Sequence, residues 1–176
     1  MAEQGHPKGN EMTEEELREK IEAMFAGSQG TILRDGRLVV DCPKESISSL
    51  LIYLKANGFE HLSAISCVDW MEKNQFELVY HLGSFSVGVH IMVKTRIDRK
   101  ISKYVTVIPL FPNAQTYERE IHEMFGVDFA GNPRQVPFLL DHWKEMPPFR
   151  KDFDMREYVK RTFGDDSAKQ GKGSGG

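Results

Sequence analysis

The chain has 176 residues, about the length of one domain, and its 40% hydrophobic and 10% aromatic residues supply ample material for a core. Its 26 acidic and 23 basic residues leave a net charge of −3, too weak a field to gather nucleic acid or anionic lipid. Two cysteines, Cys42 and Cys67, cannot hold an iron-sulphur cluster or complete a zinc site by themselves, and no run of about 18 apolar residues offers a membrane span.

Residues 1–12 are polar and aperiodic and read as a flexible arm; they lack the basic start and apolar run of a secretory signal, which points to a reducing, cytoplasmic setting. Thr13 with Glu16 forms a capping-box pattern, and Leu17, Ile21, Met24 and Phe25 recur at helical spacing until Gly27. Thr31 to Arg34 and Arg37 to Asp41 flank the Asp35-Gly36 turn signal as a hairpin or two short strands, and Pro43 ends the second. A second amphipathic helix follows on Ile47, Leu50, Leu51 and Leu54, closed by Asn57-Gly58.

From there the period changes to two. Phe59 to Asp69 reads as a strand. Phe76, Leu78, Tyr80 and Leu82 alternate, as do Phe85, Val87, Val89, Ile91 and Val93 beyond Gly83-Ser84, which predicts an antiparallel pair. Residues 97–112 are mixed, broken by Pro109 and Pro112. Asn113 then caps a third helix with Tyr117, Ile121, Met124 and Phe125 on its apolar face, Glu118, Arg119, His122 and Glu123 elsewhere, and Gly126 as its stop.

After Gly126 regular structure is scarce. Pro133, Pro137, Pro147 and Pro148 alternate with Phe138, Leu139, Leu140, Trp143, Phe149 and Phe153, which follow neither helical nor strand period. Such a segment must either pack back on the sheet or lie across a neighbouring protein, with Arg150-Lys151-Asp152 as rim charges; the aromatic anchors favour the partner. The expected organisation is an α+β domain over 13–130, a mixed or antiparallel sheet with helices packed on it, an extended C-terminal strap over 131–160 and a disordered tail over 161–176.

The candidate chemistry is sparse. His122-Glu123 opens like a zinc-hydrolase motif, but Gly126 stands where the second histidine belongs. His81 and His90 can approach across the antiparallel pair, most simply as hydrogen-bonded histidines. No nucleophile elbow, phosphate loop or dinucleotide fingerprint occurs. Glu118, Glu120 and Glu123 crowd one helix, where Glu118 with His122 and Arg119 with Glu123 are spaced to pair; a solvated helix face is the simplest reading.

The run Tyr117 to Phe129, then Gly131-Asn132-Pro133, Trp143 and Arg150-Lys151-Asp152-Phe153, closely resembles the signature of the 30 kDa subunit family of respiratory complex I, the NADH:quinone oxidoreductase. That family has counterparts in complex-I-like membrane-bound nickel-iron hydrogenases and related ion-pumping oxidoreductases. Ile121-His122-Glu123, where respiratory members more often carry an aromatic and an aspartate, and Asn132, where a histidine usually precedes the proline, lean toward the hydrogenase-type relatives.

The resemblance implies a structural component of the hydrophilic arm that binds no cofactor and has no catalytic or metal-binding residue, with iron-sulphur clusters, and possible nickel-iron, in its partners. Those partners would be the large hydrogenase-like subunit, the iron-sulphur subunits and the membrane-arm subunits, which alone would attach it to the cytoplasmic side of the membrane. It also implies that Glu118, Arg119, Glu120, His122, Phe125 and Gly126 form the signature helix and its turn, and that Trp143, Arg150, Lys151 and Asp152 belong to a strap against the large subunit. The equivalent 30 kDa component of NADH:quinone oxidoreductase itself is the nearer alternative, and a free-standing metal-dependent enzyme using His122 and nearby carboxylates the more distant one.

Overall fold

The computed structural model describes residues 13–34, 36–85 and 88–164. The expected arm at 1–12, Asp35, Val87 and the last part of the expected tail lie outside the described residues. Helix α1, Glu14–Met24, starts as the capping box requires: Thr13 Oγ1 accepts from the Glu16 amide at 3.2 Å, and the Glu16 carboxylate accepts from the Thr13 amide. Strands β1, Gln29–Arg34, and β2, Arg37–Asp41, form the expected hairpin. Helix α2, Ile47–Ala56, leads to β3, His61–Trp70, β4, Gln75–Gly83, and β5, His90–Asp98.

These five strands form one sheet in the order β1-β2-β5-β4-β3, with β2 and β5 parallel and the other neighbours antiparallel. A parallel pair needs a long crossover, and the chain supplies it by running through α2, β3 and β4 before it returns beside β2. Leu38 and Val40 of β2, Leu78, Tyr80 and Leu82 of β4, and Ile91 and Val93 of β5 form the buried core with Leu17 and Ile21 of α1 and Ile47, Leu50, Leu51 and Leu54 of α2.

Two expectations shift in register. The fifth strand begins at His90, not at Phe85, in both of its ladders: His90 stands opposite Gly83 of β4 and Arg37 of β2. Phe85 is left 92% exposed. In β3 the expected alternation of Leu62, Ala64 and Ser66 breaks at a bulge between Leu62 and Ala64, after which Ile65 and Asp69 are the buried positions. A carboxylate therefore occupies an inward site.

Regular structure also occurs where little is expected. Within 97–112 lies β6, Lys103–Val105, which pairs in parallel with β7, Asp128–Ala130, just beyond helix α3, Ala114–Phe125. Helix α4, Met155–Phe163, crosses the border expected between strap and tail, because the Asp154 carboxylate caps it by accepting from the Arg156 and Glu157 amides at 2.9 and 3.0 Å. Asn113 precedes α3 without capping it; its side chain donates instead to the Leu62 carbonyl at 2.7 Å. Tyr117 donates to the neighbouring Ser63 carbonyl at 2.7 Å, so α3 hangs on the bulged edge of β3 by two side chains.

Phe76 is the ring on which these layers converge. It is fully buried, meets Phe125 edge to face at 6.0 Å, and carries the guanidinium groups of Arg99 and Arg150 at 5.6 and 5.2 Å. Replacing Phe76 by Ala should cost about 3–5 kcal/mol, read as a lower urea midpoint with an unchanged m value.

Candidate functional site: the signature helix and its strap

Three faces of α3 carry the site. Its buried face holds Glu118, which is fully enclosed and not on a solvated surface. The Glu118 carboxylate accepts from the Thr106 hydroxyl at 2.7 Å, the Val107 amide at 2.8 Å and the Asn132 side-chain amide at 2.9 Å. Burial raises its pKa, and the three donors oppose that rise. The pairing with His122 suggested by spacing does not form; His122 Nδ1 donates instead to the Val127 carbonyl at 2.9 Å, which tightens the turn after the helix.

A second face meets the strap. The two oxygens of Glu123 accept from three consecutive amides, those of Phe138, Leu139 and Leu140, at 2.8–2.9 Å. Partial burial acts to raise the Glu123 pKa, but these bonds and nearby Arg119 outweigh it and bring it below the usual carboxylate value. Arg119 lies over the Phe138 ring at 4.8 Å and donates to the Pro137 carbonyl at 3.1 Å, so it supports the same loop and does not pair directly with Glu123. Glu120, on the third face, is exposed.

Gly126 ends α3 in the left-handed region, with φ of 74°. A β-carbon there would stand 3.0 Å from Pro147 Cγ and from Arg150 Nη2, so the site demands glycine both for its backbone and for its space. Arg150 Nε donates to the Phe125 carbonyl at 2.7 Å, and Phe125 meets Phe149 edge to face at 5.7 Å.

The expected rim residues are also tied to the domain, Arg150 and Asp152 by their side chains and exposed Lys151 by its backbone amide. Arg99 grips Asp69 through Nε at 2.8 Å and Nη2 at 3.0 Å, and grips Asp152 through Nη1 at 3.1 Å and Nη2 at 2.5 Å. The Lys151 amide donates to Asp69 at 2.9 Å, while its ammonium lies 5.9 Å from the Trp70 ring. The bonds to Arg99 outweigh partial burial and lower the Asp152 pKa. Trp143 donates to the Met146 carbonyl at 3.1 Å and packs with Phe153 and Tyr158 at 5.6 and 4.9 Å. In the single chain the strap is tied back to its own domain, one of the two arrangements that the sequence allows.

All ten residues singled out from the sequence fall on α3, its turn or the strap, and Phe125, Gly126 and Arg150 meet at one junction. The residues missed are Asp69 and Arg99, which receive the strap; Glu123, which also receives it, reads in the sequence as part of an acidic helix face. Among the described residues no group of three or more histidine, cysteine, aspartate or glutamate side chains is arranged to hold a metal, and no helix is long and apolar enough to cross a membrane. His81 approaches Ser66, with Nε2 and Oγ 3.1 Å apart, and stands opposite Met92, not His90.

The depressed carboxylates set the pH response. The stability that Glu123 and Asp152 contribute is fully present above their unfolded pKa values and is lost as pH falls through their lower folded values. Tryptophan fluorescence, through Trp143 on the strap, should therefore change on acidification below the ordinary carboxylate range. Gly126→Ala should cost about 1–2 kcal/mol in thermal denaturation from the left-handed backbone alone.

Residues 40–159 match the family model for the respiratory-chain NADH dehydrogenase 30 kDa subunit. The chain is 34% identical over 113 residues to the C subunit of F(420)H(2) dehydrogenase from Methanosarcina mazei, covering 63% of this chain and 72% of that relative. It is 35% identical to the C subunit of NADH-quinone oxidoreductase from Maricaulis maris, over 78% of this chain and 70% of the relative. Its fold matches a chain in the archaeal membrane-bound sulfane sulfur reductase, a respiratory membrane complex, with a TM-score of 0.79 and 38% identity over 85% of this chain and 91% of that one. It also matches a trypsin-resistant fragment (1–134) of Nqo5, with a TM-score of 0.61 and 27% identity over 68% of this chain and 97% of the fragment. The chain belongs to the 30 kDa subunit family of respiratory complex I.

Proposed function

We propose that this chain is a structural component of the hydrophilic arm of a complex-I-like, energy-converting membrane oxidoreductase, and that it binds no cofactor itself. The observation that carries this reading is the likeness to the sulfane sulfur reductase chain, which extends over 85% of the sequence. In this reading the chain packs against the large hydrogenase-like subunit. Iron-sulphur and membrane-arm proteins complete the assembly and hold it on the cytoplasmic side of the membrane. A hydrogenase-type complex is favoured over a quinone-reducing one by the signature wording Ile121-His122-Glu123 and by Asn132 before Pro133.

The side chains divide the labour. Glu118 lies in the interior of the domain, half-buried Phe125 and Gly126 form the joint beside it, and Arg150, the Lys151 amide and Asp152 seat the strap. What remains for a partner is the exposed side: Glu120 on α3, and Phe138, Leu139 and Phe149 on the strap, which are 41%, 60% and 59% exposed. Exposed aromatic and aliphatic groups on an ordered backbone are the usual anchors of a protein interface.

Affinity purification of the tagged chain from native membranes in mild detergent should recover a large hydrogenase-like subunit, iron-sulphur subunits and membrane-arm subunits together. Recovery of the chain alone, or with stoichiometric metal of its own, contradicts the reading. Glu120→Lys should reduce recovery of the large subunit about tenfold while leaving the melting temperature within about 2 °C of wild type, since it disturbs a surface charge and no packing.

A further inference from the structure

Burial stops abruptly along this chain. Among the described residues Asn132 is the last buried one, and all those from 133 to 164 are exposed or intermediate. The strap nevertheless has contacts of its own: Trp143, Phe153 and Tyr158 form a triangle with centroid separations of 4.9–5.9 Å, and Arg161 pairs with Glu145 at 2.7 Å.

Its ties to the body are mostly polar and gather at its two ends. At one end are the three amides on Glu123, Arg119 on the Pro137 carbonyl and the Phe138 ring, and Gln135 on Asp128 and Phe129; at the other are Asp152 on Arg99, the Lys151 amide on Asp69, Arg150 on the Phe125 carbonyl, and the Phe149 amide on the Met124 carbonyl at 3.0 Å. The Phe125–Phe149 contact is the main apolar one, and Phe149 is 59% exposed. A segment that buries nothing fully contributes little to the cooperative core, so its opening costs much less than global unfolding.

We propose that residues 133–164 are a charge-latched arm that opens from the domain as a single unit while the sheet and helices α1 to α3 stay folded. Glu123 and Arg99 are the two latches. The internal aromatic triangle keeps the arm together when it leaves, and the latches close it again on the free chain. Opening is a property of this chain alone; its use as the step that passes the strap to a neighbouring protein of the complex rests on the assembly reading above.

Amide-resolved hydrogen exchange on the full chain at neutral pH tests the arm. Phe138, Leu139, Leu140, Phe149 and Lys151 amides should be protected, yet should exchange at least about a hundredfold faster than those of β4 and β5. Glu123→Gln should accelerate both strap groups together by about tenfold and leave β4 and β5 unchanged, and Asp152→Asn should do the same from the other end. Exchange of strap and sheet at one rate overturns the proposal, as does exchange of the strap at the unprotected rate. Acceleration of 138–140 without 149–151 on Glu123→Gln, or no acceleration at all, also overturns it.

Discussion

Asp69 is a carboxylate whose side chain is 1% exposed on an inward position of a strand, and the architecture around the strap follows from the need to compensate it. A buried charge without a partner is costly, so the chain brings Arg99 from the end of β5 to meet both of its oxygens. Arg99 has donors left over, and Asp152 takes them. Asp69 has acceptor capacity left over, and the Lys151 amide takes it. The strap is thus the outer part of a charge network that begins inside the sheet.

Glu118 shows the same logic on the other side of α3. Its donors come from the loop before the helix and from Asn132 after it, so one carboxylate fastens the two segments that flank the signature helix. At Gly126 the helix must turn at once and admit Pro147 and Arg150 against bare backbone. The family signature is therefore mostly a description of internal joints. A partner protein would meet the surface that these joints hold in place.

Helices α1, α2 and α3 and strand β4 are legible in the sequence because each has an uninterrupted period and a recognisable end. Strand β3 is not, because a bulge at Ser63 changes the phase of alternation and hides that Asp69 points inward. The start of β5 is misplaced because both ladders, to β4 and to β2 about 50 residues earlier in the chain, begin at His90 and leave residues 84–89 as a connection. Resemblance finds the signature residues but not their directions. Glu118 reads as a polar helix position until the donors at Thr106, Val107 and Asn132 are folded around it, and Arg99 and Asp152 are 53 positions apart. Long-range charge compensation leaves no local pattern.

The body and the strap are joined centrally through Arg99. A double-mutant cycle of Arg99→Met and Asp152→Asn, read as the stability of the strap toward opening, measures that joint directly. A coupling of about 1–3 kcal/mol between the two sites is the predicted result. Additive effects, with Asp152→Asn as disruptive in the Arg99→Met background as in the wild type, would contradict it.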